Sequence, residues 1–102
     1  MINLNKMAQD SLTVAEKRIA NGSTMTKDNL KHAVEELIEA AEARGRYNND
    51  PCATSEDFLD ELSDVIICIL LEAATYGFNI ESALIKCCEK NKKRAEGIGD
   101  KL

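Results

Sequence analysis

Glu61-Leu62-Ser63-Asp64-Val65-Ile66-Ile67-Cys68-Ile69-Leu70-Leu71 is the stretch whose reading decides the fold. Residues 65–71 are apolar without interruption, and a helix that is apolar on every side is a buried one. The run is far too short to span a bilayer. Glu61 and Asp64, at its head, stand three positions apart and so share one helical face. A carboxylate at the end of a buried helix is partly desolvated, which is costly unless a cation compensates it. Upstream, Glu36-Leu37-Ile38-Glu39 has the same spacing. Two such faces turned together offer four carboxylates to one or two hard cations. Mg²⁺ suits that arrangement, because it takes a few carboxylates, keeps several waters and recruits substrate phosphates.

Working outward, the apolar periodicity predicts four helices and no strand, over about 3–20, 26–44, 55–76 and 79–95. The first has the stripe Leu4, Met7/Ala8, Ser11/Leu12, Ala15 and Ile19 and ends at Asn21-Gly22. The second, capped by Thr26, has the stripe Leu30, Ala33/Val34, Leu37 and Ala41. Gly45 to Ala53, with Asn48-Asn49-Asp50-Pro51, reads as the longest loop. The third is capped by Thr54 or Ser55, with acids in its first turn, and closes at Gly77. Asn79 caps the fourth, and Gly97 to Leu102 reads as a frayed tail. The class is all-α, a four-helix bundle in one domain, 1–102, oligomeric through its central helices.

Composition narrows the function. The formal charge is −5, which argues against binding a nucleic-acid backbone. An acidic protein that handles phosphates needs metal to bridge the two. No basic run heads the sequence and no signal-peptide core follows, so the chain reads as cytoplasmic, with no membrane partner. Cys52, Cys68, Cys87 and Cys88 form no Cys-x-x-Cys pair, and His32 is the one histidine. A zinc site is therefore not expected, and the cysteines read as small hydrophobes in a reducing compartment.

At 100° per residue, Glu36 sits at the edge of the second helix's apolar stripe and Glu39 beside it. On the third helix Glu61, Asp64, Cys68 and Glu72 form one stripe beside Phe58, Leu62, Val65 and Ile69. Taken alone, Glu36-x-x-Glu39 is more often a solvated face, and acids in a first turn are ordinary macrodipole partners. Order, separation and the adjoining apolar run together favour a metal site. The fourth helix has the inward stripe Ile80, Ala83/Leu84, Cys87, Asn91, Arg94/Ala95 and Ile98. A buried amide needs partners and a buried guanidinium needs an anion, and phosphate oxygens satisfy both. The bland alternative is that both residues are wet where the helix leaves the core.

Glu35-Glu36-Leu37-Ile38-Glu39, Asp60-Glu61-Leu62-Ser63-Asp64-Val65 and Lys90-Asn91-Lys92-Lys93-Arg94, in that order, resemble the MazG-type all-α nucleoside triphosphate pyrophosphohydrolases. Gly77-Phe78-Asn79-Ile80-Glu81 also resembles their junction between the third and fourth helices. The resemblance implies hydrolysis of a nucleoside triphosphate to the monophosphate and pyrophosphate with Mg²⁺, or Mn²⁺ in its place. It makes Glu36, Glu39, Glu61 and Asp64 the metal ligands, and Asn91 and Arg94, with Lys86 or Lys90, the phosphate or sugar contacts. Such proteins often have a lysine where this chain has Cys87. Glu39, further from the core than Glu36, is the candidate to orient or deprotonate the attacking water. Glu72 reads as an extra ligand, an ion-pair partner or an exposed residue. Base contacts are expected from the first helix and the loops.

Three rivals stand beside this reading. A di-iron bundle needs Glu-x-x-His pairs, and the residue three before His32 is Asn29. Phosphoribosyl-ATP pyrophosphohydrolases share the acidic pattern without requiring the Asn91/Arg94 ending. A non-catalytic helical module would use the apolar run for dimerisation alone. One protomer can hardly cover every face of that run, so a homodimer or dimer of dimers is expected.

Overall fold

The computed structural model describes residues 1–23 and 28–97. Among these residues are four helices and no strand: α1 Leu4–Ala20, α2 Asn29–Asn49, α3 Ser55–Thr75 and α4 Ile80–Ala95. No described helix is long and apolar enough to cross a membrane. Each helix opens on a side chain that accepts one of the free N–H groups of its first turn. Asn3 takes that of Lys6, Asp28 that of Lys31, Thr54 that of Asp57 and Asn79 that of Ser82. Thr26, the expected cap of α2, lies outside the described residues, as do 98–102 of the tail. α3 stops at a Schellman turn: Phe78 N–H donates to Ala73 O at 2.9 Å and Gly77 N–H to Ala74 O at 3.0 Å. Gly77 there has φ +69°, which glycine adopts without a Cβ penalty.

α2 corrects the expected boundary. It continues past Arg44 to Asn49, through the segment read as a loop. Gly45 costs the helix about 1 kcal/mol relative to alanine, and packing on either side of it offsets that cost. Ala43 is buried, and the Tyr47 ring meets Phe58 of α3 at 5.9 Å. The Asn49 side chain donates to Gly45 O at 2.8 Å. The helix ends at Asp50, extended at φ −111° and ψ 116°, the conformation that Pro51 imposes on its predecessor.

α2 and α3 run antiparallel. Tyr47 meets Phe58 at one end, and Asn29 donates to Thr75 Oγ1 at 3.3 Å at the other. The buried positions of α2 are Ala33, Ala40 and Ala43. Small side chains allow two helix axes to approach closely. Of the expected stripe only Ala33 is buried; Leu30, Val34 and Leu37 are each more than half exposed, and Ala41 is exposed too. α1 packs on α3, and its buried residues, Ala8 and Ala15, both belong to the expected stripe.

In α3, Cys68, Leu70, Leu71 and Ala73 are buried, whereas Ile66, Ile67 and Ile69 stand exposed. An apolar groove of about 320 Å³ runs along Leu37, Ala40, Ala41, Phe58 and Leu62.

α4 departs furthest from expectation. None of its residues is buried, and Asn91 lies on an exposed surface rather than within a covered apolar face. Its attachment is polar and confined to its start. Leu4 N–H donates to Glu81 Oε1 at 3.2 Å, Glu81 N–H to Asn5 Oδ1 at 3.2 Å, and the Asn5 amide to Asn79 Oδ1 at 2.8 Å. The chain is open as a result. Its radius of gyration is 16.6 Å, against about 13 Å for a compact chain of this length. It exposes 7873 Å², against roughly 5,700 Å² for a monomer of this mass.

Candidate metal centre

The α2–α3 seam brings the acidic pairs together. Oxygens of Glu36, Glu39 and Glu61 lie within 4.8 Å of one another. Helical side chains lean toward the N-terminus of their own helix. Glu39 therefore leans back over the turn that carries Glu36, and Glu36 over the turn that carries His32. Asp64, one methylene shorter than a glutamate, stands outside the trio. Its charge still acts on Glu36, Glu61 and Cys68.

Two oxygens of the cluster, Glu36 Oε2 and Glu61 Oε2, are buried without a hydrogen-bond partner. Buried polar atoms are normally satisfied, so these two are the places where a ligand is owed. Burial pushes the Glu36 carboxyl above its ordinary value, and Glu39 adds to the shift by hydrogen bonding and charge. His32 opposes it, and Asp64 contributes a smaller push upward. Glu61 is likewise raised, by burial first and then by the charges of Glu39 and Asp64, with Arg46 opposing. Burial raises the Cys68 thiol too, helped by Glu36 and Asp64. An all-oxygen carboxylate set of this kind fits a hard divalent cation; a soft metal would ask for thiolate or imidazole.

A cavity of about 450 Å³ opens beside the cluster. Val14, Ala15, Ile67 and Leu71 give it apolar walls, while Glu36 and Asp64 join it to the acidic site. Asp10, Ser11, Arg18 and His32 add polar groups, and Cys68 also lines it. Apolar walls with a few convergent polar groups are the usual make-up of a small-molecule site. Ser11 Oγ donates to Met7 O at 2.8 Å, so toward the cavity it offers lone pairs.

The sequence-derived residues divide into two groups. Glu36, Glu39 and Glu61 converge, with Asp64 adjacent. Lys86, Lys90, Asn91 and Arg94 are exposed on α4, and α4 contributes none of the cavity's described walls. Asn91 Nδ2 reaches Cys87 Sγ at 3.9 Å. Glu72 is half-buried outside the trio and accepts a long, 3.5 Å hydrogen bond from Asn29.

Two neighbours of the site were not anticipated. Arg46 lies on the part of α2 read as loop. His32 Nε2 lies 2.9 Å from Glu36 Oε1, an i,i+4 pair that spacing alone could have suggested.

Residues 24–98, well over half of the chain, match the family model described as the MazG nucleotide pyrophosphohydrolase domain. No curated protein matches, and no solved structure does.

Proposed function

The chain belongs to the MazG nucleotide pyrophosphohydrolase family, and from that premise we propose that it hydrolyses a nucleoside triphosphate to the monophosphate and pyrophosphate with Mg²⁺, or Mn²⁺ in its place. The observation that carries this reading is the trio Glu36, Glu39 and Glu61, drawn from two helices to within 4.8 Å. Two of its oxygens are buried and unpartnered. Asp64 completes the ligand set. These four residues would hold a divalent cation, which when bound would supply charge neutralisation for the triphosphate and polarisation of the phosphorus.

The chain's own groups do the rest. Glu39, the exposed member of the trio, orients the attacking water and takes its proton. The adjoining cavity receives the nucleoside end, its apolar walls against the base and the α1 groups at its polar edge. Asn91 and Arg94, with Lys86 or Lys90, hold the phosphates or sugar. These α4 residues reach the acidic site in the assembled protein.

That assembly is a homodimer or a dimer of dimers centred on α3, and the domain extends over residues 1–102. Support comes from Leu30, Val34, Leu37, Ile66 and Ile69, all left exposed on one protomer. The surface in excess of a compact monomer, roughly 2,000 Å², is on the scale that obligate interfaces bury. A cytoplasmic location accords with the four free cysteines.

The test is pyrophosphate release from a panel of nucleoside triphosphates, with Mg²⁺, with Mn²⁺ and with EDTA. Release that persists in EDTA, or none from any triphosphate, overturns the proposal.

A further inference from the structure

His32 hydrogen-bonds a carboxylate of the trio, with Nε2 2.9 Å from Glu36 Oε1. Both partners are largely covered, with 30 % of the His32 side chain and 15 % of the Glu36 side chain exposed. The other oxygen, Glu36 Oε2, is buried and without a partner. An ionised carboxylate offers only lone pairs, so Nε2 must bear the hydrogen. The two oxygens of Glu36 are thus unequal: one is held and one is open.

Resting on the metal-site reading above, we infer that His32 is a positioning residue, which clamps Glu36 Oε1 and leaves Oε2 presented to the divalent cation. Second-sphere hydrogen bonds commonly orient carboxylate ligands in this way. The helix supplies the geometry without strain, because Glu36 leans toward the turn that carries residue 32. An imidazole N–H also suits the place better than a lysine would. It can fix an oxygen without setting a permanent positive charge beside the cation.

His32 also lines the cavity, which gives a competing role: contact with the nucleoside rather than with Glu36. The two roles separate by measuring Mn²⁺ binding without nucleotide, by electron paramagnetic resonance, on the wild-type protein, His32→Ala and His32→Gln. Apo melting curves on the same samples report folding.

His32→Ala is expected to remain folded and to weaken Mn²⁺ binding by about tenfold or more. His32→Gln, which retains a side-chain N–H donor, should recover most of the affinity. Unchanged Mn²⁺ affinity in folded His32→Ala overturns the inference, whether or not the KM for nucleotide moves. So does a glutamine variant that binds no better than the alanine one. Wild-type protein that binds no Mn²⁺ overturns the metal site itself, and the inference with it.

Discussion

Two faces of α2 have the same spacing and opposite fates. Ala33, Glu36, Ala40 and Ala43 recur at three- and four-residue steps, and so do Leu30, Val34, Leu37 and Ala41. The second set holds far more apolar surface, yet the first is the one turned onto α3. Alanines let the two backbones draw together, and only at short range do carboxylates from facing helices meet. The larger stripe is left for another surface. Within one helix, small residues thus line the seam and large ones stay exposed, where the proposed assembly would cover them.

The largest expected effect tests the inner face. Glu61→Gln and Asp64→Asn should lower Mg²⁺-dependent pyrophosphate release by roughly two orders of magnitude or more. The apo fold should be at least as stable as wild type, since a member of a mutually repelling set has been neutralised. Melting curves and turnover on the same samples decide it. Full activity in either folded variant would break the assignment of this face to metal binding, and lost stability with proportionate lost activity would make it a structural salt-bridge network.

Next in size is the outer face. Leu37→Asp should forfeit the burial of a leucine in each copy, about 1.5–3 kcal/mol, and add a charge to the interface. Light scattering behind size exclusion should show wild type as a dimer or tetramer and the variant shifted to smaller species. A wild-type monomer at micromolar concentration removes the outer face's proposed role. A variant that assembles normally moves the interface elsewhere.

Substitutions on α4 sharpen the contrast with a helix that lacks an inner face altogether. Arg94→Ala should raise KM by roughly tenfold, as the loss of one charge-assisted phosphate contact would, and Asn91→Ala by less. Neither should lower the melting temperature, because neither side chain is buried. Wild-type kinetic constants in both variants would leave α4 outside the site.

The smallest effect is on the pH dependence of apo stability. Glu36 and Glu61 are held above the ordinary carboxylate value of 4.5 when folded. The folded chain therefore binds protons that the unfolded chain releases, and stability falls as pH rises from about 4.5 through the raised values. Apo melting temperature should drop across that window, less steeply in a Glu36→Gln/Glu61→Gln double variant, and Mg²⁺ should oppose the drop. A double variant with the wild-type slope would show that these two carboxyls do not carry it.

The legible parts of the molecule are those written in local chemistry. Thr54 and Asn79 announce their helices by hydrogen bonds that reach only three residues, and Gly77 announces an end by a backbone conformation. The acids were legible because three-residue spacing fixes a shared face. Which of α2's two seams would be used was not, because both satisfy the same period and volume argues for the wrong one. The end of α2 was hidden by a tertiary contact, Tyr47 on Phe58, that overrides Gly45. His32 was readable as Glu36's neighbour, but its value depends on which face turns inward. For α4, the apolar stripe gave no sign of whether anything would cover it.

The polar clasp at the start of α4 has a mechanical consequence. Asn79 and Glu81 fix one end, against Leu4 and Asn5, while the remainder of the helix is a lever. From Ile80 to Arg94 the arm is about 21 Å long at 1.5 Å per residue, so a tilt of about 10° at the base carries its tip roughly 4 Å. A tilt of that size would move a guanidinium by more than the width of a phosphate oxygen. Cys87 and Cys88, exposed midway along that arm, are native attachment points for a spin label or fluorophore that would report the swing.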